Sequence, residues 1–194
     1  MSNQNFRERT QEFVNELQAN DLLLSLPIDV ERIAVGMGLK VVGFPFQDDI
    51  SGVLVIDETG ATIGYNPSES NVRKRFSIAH ELGHYVLHSK KNTSETFLDK
   101  LLFRKNITMY SSKEEAIERE ANYFAANILM PANVVVNEVN KLSAAKDDED
   151  NIKILSKKFD VSVSAMTYRL VNLGIYKWTP YDSSDSESKN RVHF

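Results

Sequence analysis

The stretch "FSIAHELGHYVLH", from Phe76 to His88, constrains this chain more than any other. It carries three of the four histidines in 194 residues. Within it, His80, Glu81 and His84 form the pattern H-E-x-x-H. On an α-helix, residues i and i+4 lie one turn apart on the same face. Two imidazoles so placed can bind one zinc ion. Glu81 is turned about 100° from His80, near the metal without ligating it, where it can take a proton from a metal-bound water. The chemistry therefore needs all three residues on a helix. The segment has no proline, and Ile78, Ala79, Leu82 and Val86 give it an apolar stripe. With this composition, chance supplies roughly 0.006 such motifs per chain, so the pattern is read as a site. Gly83 costs a helix ~1 kcal/mol relative to alanine. A residue that small lets another backbone or a substrate come close. His88 is about 12 Å along the axis from His80, too far to share a metal, and is read as a bystander.

A catalytic zinc site wants three protein ligands and an open position. The chain has no cysteine, which excludes a thiolate ligand, an iron–sulfur cluster and a disulfide framework. A third histidine six residues on is also absent, because Lys90 stands there. His193 is the one histidine left and lies in a polar tail. A carboxylate is therefore expected, from "EEAIEREANYFAANILMP" (Glu114 to Pro131). Ala121, Phe124, Ala125, Ile128 and Leu129 make one apolar stripe there, and Glu118 leads into it. A carboxylate on the packed side needs a reason to be there, and a metal is one. Asn122, a turn later, could orient a ligand. Glu120 reads as solvent-facing. By pattern alone Glu114, Glu115 and Glu120 stay open as alternatives to Glu118.

Around these motifs the pattern predicts an α+β fold. An amphipathic helix is expected over Phe6–Leu24, ended by Pro27. Asp29 should cap a short helix that stops at Gly36 or Gly38. Three β-like runs follow, Lys40–Phe46, Ser51–Asp57 and Ala61–Asn66, with "DETG" (Asp57 to Gly60) as a hairpin turn. They imply a small, mostly antiparallel sheet. "NPSES" offers caps for the helix through His88. Phe97–Ser112 is ambiguous: "FLDKLLF" suits a short helix and "ITMY" a strand. A helix over Lys113–Met130 ends at Pro131, where another begins. "AAKDDEDN" reads as a charged break before short helices near Ile152–Phe159 and Ser162–Leu173. The expected organisation is an N-terminal helix (1–25), a core (26–145), a C-terminal helical segment (146–178) and a disordered tail (179–194).

The two ligand segments together resemble the ImmA/IrrE family of bacterial and phage zinc peptidases. "RKRFSIAHELGHYVLH" and, some thirty residues later, "EREANYFAANILMP" carry the likeness, which extends over about residues 26 to 175. The resemblance implies one zinc ion per chain, bound by His80, His84 and Glu118 of an E-x-x-A-[N/D] motif, with Glu81 as the catalytic base. It implies a gluzincin-like core, a small sheet beside two ligand-bearing helices. It also implies a cytoplasmic peptidase whose substrate is a helix-turn-helix repressor. With only about 25 residues before the core, that repressor is expected to be a separate protein. Arg73, Arg75, Tyr110 and Tyr123 are candidates for stabilising the oxyanion.

The competing expectation is a non-proteolytic metal-binding regulator. "ILSKKFDVSVSAMTYRL" (Ile154 to Leu170) has a helix-turn-helix look, with Lys157, Lys158 and Arg169 as its cations. The formal net charge of −4 and the acidic "KDDED" before it make DNA binding the weaker expectation. No apolar run approaches the ~18 residues a membrane helix needs, and the N-terminus lacks a signal-peptide core.

Overall fold

The structure is a computed structural model. It describes residues 3–46, 50–89, 95–100, 112–142 and 147–177, with the backbone alone for 3, 4 and 95–100. These residues fall into two compact units, one up to Leu129 and one from Met130 onward.

The first unit opens with α1 (Asn3–Ala19). This helix stops well short of Pro27, because Asp21 takes a left-handed conformation at φ 60. Asp21 N–H and Leu22 N–H then donate to Gln18 O and Leu17 O, which closes the last turn. Next comes α2 (Val30–Gly36), capped by the Asp29 carboxylate accepting from Arg32 N at 2.9 Å. Gly38, at φ 88, ends it in the same left-handed way.

Four strands form one sheet among the described residues: β1 (Lys40–Gly43), β2 (Ile50–Asp57), β3 (Gly60–Tyr65) and β4 (Glu95–Lys100), in the order β1-β3-β2-β4. β2 pairs antiparallel with β3 and β4, whereas β1 runs parallel to β3. The predicted hairpin turn is present: Asp57 Oδ1 accepts from Thr59 N and Oγ1, each at 2.7 Å. β4 runs into the stretch from Phe97 that local pattern leaves open between a helix and a strand. Pairing with β2 decides for the strand there. The "ITMY" segment and the tail lie outside the described residues.

α3 (Asn71–His88) and α4 (Ser112–Leu129) complete the unit. Ser70 caps α3 by accepting from Arg73 N. α3 lies between the sheet and α4, touching β2, β3 and α4. It is therefore buried on more than the expected stripe, and every residue from Ser77 to His84 is inside. Leu54 and Ile63 of the sheet, Leu82 of α3 and Phe124 and Ile128 of α4 fill the core. α1 packs on α4 through Phe13 against Phe124 and Phe6 edge-on to Tyr123. Arg9 reaches from α1 to the carbonyls of Val86 and Leu87 in the last turn of α3. A cation at a helix C-terminus satisfies carbonyls that lack helical partners.

The second unit holds α5 (Ala132–Val139), α6 (Asp148–Phe159) and α7 (Val163–Asn172). α6 starts within the expected charged break. Asp147 caps it, accepting from Asp150 N at 2.8 Å, and three acids in its first turn complement the helix dipole. Of the cations placed on this segment, Arg169 is only 7% exposed and donates from Nε to Met130 O at 2.8 Å. Lys158 is hydrogen-bonded to Glu138 of α5. Both serve the packing of the unit. No helix among the described residues is long and apolar enough to cross a membrane.

Candidate metal centre

α3 and α4 cross where both carry small residues. A Cβ on Gly83 would lie 3.1 Å from Ala121 O, 3.2 Å from Ala121 Cα and 3.2 Å from Phe124 Cβ. The close neighbour that Gly83 admits is thus the backbone of α4. Glu118 stands one turn before Ala121 and so faces the two histidines.

His80 Nε2 and His84 Nε2 are 2.9 Å apart. Glu118 Oε2 is 3.2 Å from the first and Glu118 Oε1 is 3.3 Å from the second. For a tetrahedral ion with ligands at ~2.0–2.1 Å, neighbouring ligand atoms are about 3.3 Å apart. The three side chains therefore fit a single metal ion, and they form the one such group among the described residues. His80 Nδ1–H donates to Asn122 Oδ1 at 3.0 Å. An amide oxygen only accepts, so the proton sits on Nδ1 and Nε2 keeps its lone pair for a metal. Burial pushes the Glu118 carboxyl up, but the His80 and His84 imidazoles beside it outweigh burial and hold it down at about 2. The group is thus a carboxylate throughout the physiological range.

His80, Glu81 and His84 are 2%, 0% and 1% exposed, whereas the Glu118 side chain is 35% exposed. Glu81 points from α3 toward β2, where a Cβ on Gly52 would come within 3.0 Å of its Oε1. His88 Nε2 lies 3.7 Å from Glu120 Oε2, outside the metal group. Glu120 is thus not the solvent-facing residue its position on the wheel suggests: α3 runs alongside and brings His88 to it. Burial, His84 and Arg9 together push the His88 imidazole down to about 4. Glu115 pairs with Arg119 at the surface.

Of the candidate oxyanion donors, Arg73 is bonded to Ser51 and Glu69. The ring of Tyr123 packs against Phe6 with the Arg7 guanidinium over it. Tyr110 lies outside the described residues. Gly52, which lies against Glu81, and Ser77 beside it were missed by the sequence pattern. The glycine in "SGVLV", facing a buried acid, was the available signal.

Residues 35–171 match the sequence profile of the peptidase M78 family, described as the IrrE N-terminal-like domain. The chain is 28% identical over 117 residues to "Uncharacterized immunity region protein 2" of Bacillus phage phi105, covering 60% of this chain and 67% of that one. A solved structure of a Mycobacterium tuberculosis transcriptional regulator superposes with a TM-score of 0.55 at 15% identity, over 84% of this chain and 47% of that one. That likeness speaks for the fold alone, and the chain spans about half the regulator's length. The profile match covers well over half of the chain and takes in both ligand-bearing helices, so the chain belongs to the peptidase M78 family of IrrE N-terminal-like domains.

Proposed function

We propose that the chain is a zinc-dependent endopeptidase that cleaves a helix-turn-helix repressor in the cytoplasm, with one zinc ion held by His80, His84 and Glu118. One observation carries this reading. Two imidazole nitrogens 2.9 Å apart on one helix each lie within 3.3 Å of an oxygen of the same carboxylate on a second helix, and a fully buried glutamate comes directly after the first histidine. A donor set of two imidazoles and a carboxylate suits zinc and leaves a position open.

When bound, such an ion polarises the scissile carbonyl and makes a water nucleophilic at neutral pH. The Glu81 carboxylate takes the proton of the attacking water and later gives one to the leaving amine. Asn122 holds the His80 ring in one tautomer. The enclosure of His80, Glu81 and His84 keeps their electrostatics strong. Glu118 alone of the set is well exposed, so a substrate approaches from its side.

The related phage protein is named for an immunity region, and that name favours a repressor as substrate. Duplex DNA as a partner has less support, since Arg169 and Lys158 are engaged within their own unit.

The test is incubation with a helix-turn-helix protein, taken from the genes beside this one where they encode it, with and without chelator, then mapping of the cut. Cleavage should stop with chelator. The Glu81→Gln variant should keep its metal and lose cleavage. Cutting at the native rate by that variant, or in the presence of chelator, would sink the reading.

A further inference from the structure

Glu81 rests against the start of β2, and the chain there is built in a particular way. A Cβ on Gly52 would sit 3.0 Å from Glu81 Oε1, 3.3 Å from Glu81 Cγ and 3.3 Å from Ser77 Cβ. Gly52 has no positive φ, so space and not backbone conformation requires the glycine. Any side chain there would displace the carboxylate.

The preceding residue breaks the ladder. Ile50 pairs with Lys100 and Gly52 with Asp99, which leaves Ser51 as an extra residue on β2. Such a bulge bends a strand and re-aims the residues beyond it. Ser51 is buried and held from three sides. Its hydroxyl donates to Glu69 Oε1 at 2.9 Å. It accepts from Arg73 Nη2 at 3.0 Å and Nε at 3.3 Å. Its carbonyl accepts from Asn66 N at 3.0 Å. Arg73 Nε also lies 3.4 Å from Glu69 Oε2. The extra residue of β2 is thereby tied to the first turn of α3, the helix that carries Glu81.

We propose, resting on the reading of Glu81 as the base, that Ser51, Glu69 and Arg73 are positioning residues for it. They pin the bulge that sets Gly52 against the carboxylate, and so they fix where its oxygens point. Arg73 then has this task in place of oxyanion stabilisation. On the other wall of the seat, the fully buried Ser77 hydroxyl has no hydrogen-bond partner among the described residues. An unsatisfied buried hydroxyl costs stability. Its place one turn before Glu81 marks this seat as shaped for more than packing.

The test needs no substrate. A hydroxamic acid binds a metal as its anion and passes its proton to a neighbouring carboxylate. Titrating acetohydroxamate into the cobalt(II)-loaded chain, read by visible absorption, therefore reports the position of Glu81. Cobalt affinity is measured in parallel. Ser51→Ala and Arg73→Gln should weaken acetohydroxamate roughly tenfold, as a small misplacement of a reacting group does. Their cobalt affinity should stay within about twofold of native, since no ligand is touched. Gly52→Ala should weaken it further. Combining it with Glu81→Asp should recover part of the loss, because a shorter acid draws back from the added methyl. A merely structural role would make those two losses additive.

Glu81→Gln sets the floor. If it binds acetohydroxamate as the native chain does, the base reading falls and the positioning role with it. If it binds weakly while Ser51→Ala and Arg73→Gln bind at native strength, the positioning role alone is overturned. Should Gly52→Ala fail to fold, those two variants decide.

Discussion

Replacing Gly83 by alanine tests how the metal centre is assembled. In an open helix the change would stabilise by up to ~1 kcal/mol. Here the new methyl would meet Ala121 O at 3.1 Å and Ala121 Cα and Phe124 Cβ at 3.2 Å each. Carbon atoms prefer about 3.5–4.0 Å, so α4 must retreat by roughly 0.3–0.8 Å. Two of the three atoms met are backbone, so no side-chain rotation relieves the clash. Overpacking of this kind costs about 1–3 kcal/mol. Set against the helix gain, the net loss is about 0–2 kcal/mol, a fall in Tm of up to about 8 °C for a chain of this size. Glu118 is carried along with α4, away from imidazole nitrogens now 3.2 and 3.3 Å from its oxygens. Disturbing the support of a metal ligand typically costs 10–100-fold in affinity, and about tenfold is expected for zinc here. Thermal unfolding of the metal-free chain and zinc competition with a chromogenic chelator measure the two effects. A variant that is more stable than native and binds zinc within twofold would refute the reasoning. It would mean that α4 does not press on Gly83.

The same geometry gives three further outcomes. Asn122→Ala frees the His80 ring and should lower zinc affinity about 10–100-fold, whereas Asn122→Asp, which still accepts from Nδ1, should largely retain it; the same competition assay reads both. His88, pushed down from 6.5 to about 4, faces His84 and Arg9 as well as Glu118 and Glu120. The unfolded chain binds that proton first, so stability should fall as pH drops from 6.5 to 4, by about 2 kcal/mol once partial screening is allowed for. Urea unfolding at several pH values should show the slope, and His88→Gln should flatten it. In the second unit, Arg169→Ala strips a buried carbonyl of its partner and should cost about 1–3 kcal/mol, read by urea unfolding, with no change in zinc affinity.

Local signals in the sequence were strong where one residue dictates one backbone event. Asp29 and, within "NPSES", Ser70 cap helices as expected because each side chain satisfies an amide a few residues on. Pro131 likewise marks the start of α5. The two histidines share a face because helical periodicity allows nothing else. What the pattern left open or misplaced had other causes. "TFLDK" is a strand because β2 offers an edge, a fact no window of that sequence contains. α1 ends at Ala19 because Asp21 tolerates a left-handed turn, and pattern reading looked to the next proline. Glu118 was separable from Glu114, Glu115 and Glu120 only through its place on the packed face. Its distance to the histidines needed the crossing of α3 and α4.

That crossing also explains why so much polarity can be buried on one helix. His80, Glu81 and His84 are all nearly inaccessible, a costly arrangement for a lone turn of helix. The two histidines are directed to α4 and the glutamate to β2. His80 turns Nδ1 to Asn122 of α4 and Nε2 to Glu118. His84 meets Glu118 through Nε2. Glu81 turns the other way, to β2. Two contacts set the positions of these groups, Gly83 against the backbone of α4 and Gly52 against the base. Both are glycines, and both leave no room for a methyl. If the metal-ligand spacing and the position of the base are set separately, then Gly83→Ala and Gly52→Ala should have separable effects. The first should change metal affinity, and the second should change how the loaded site handles a proton.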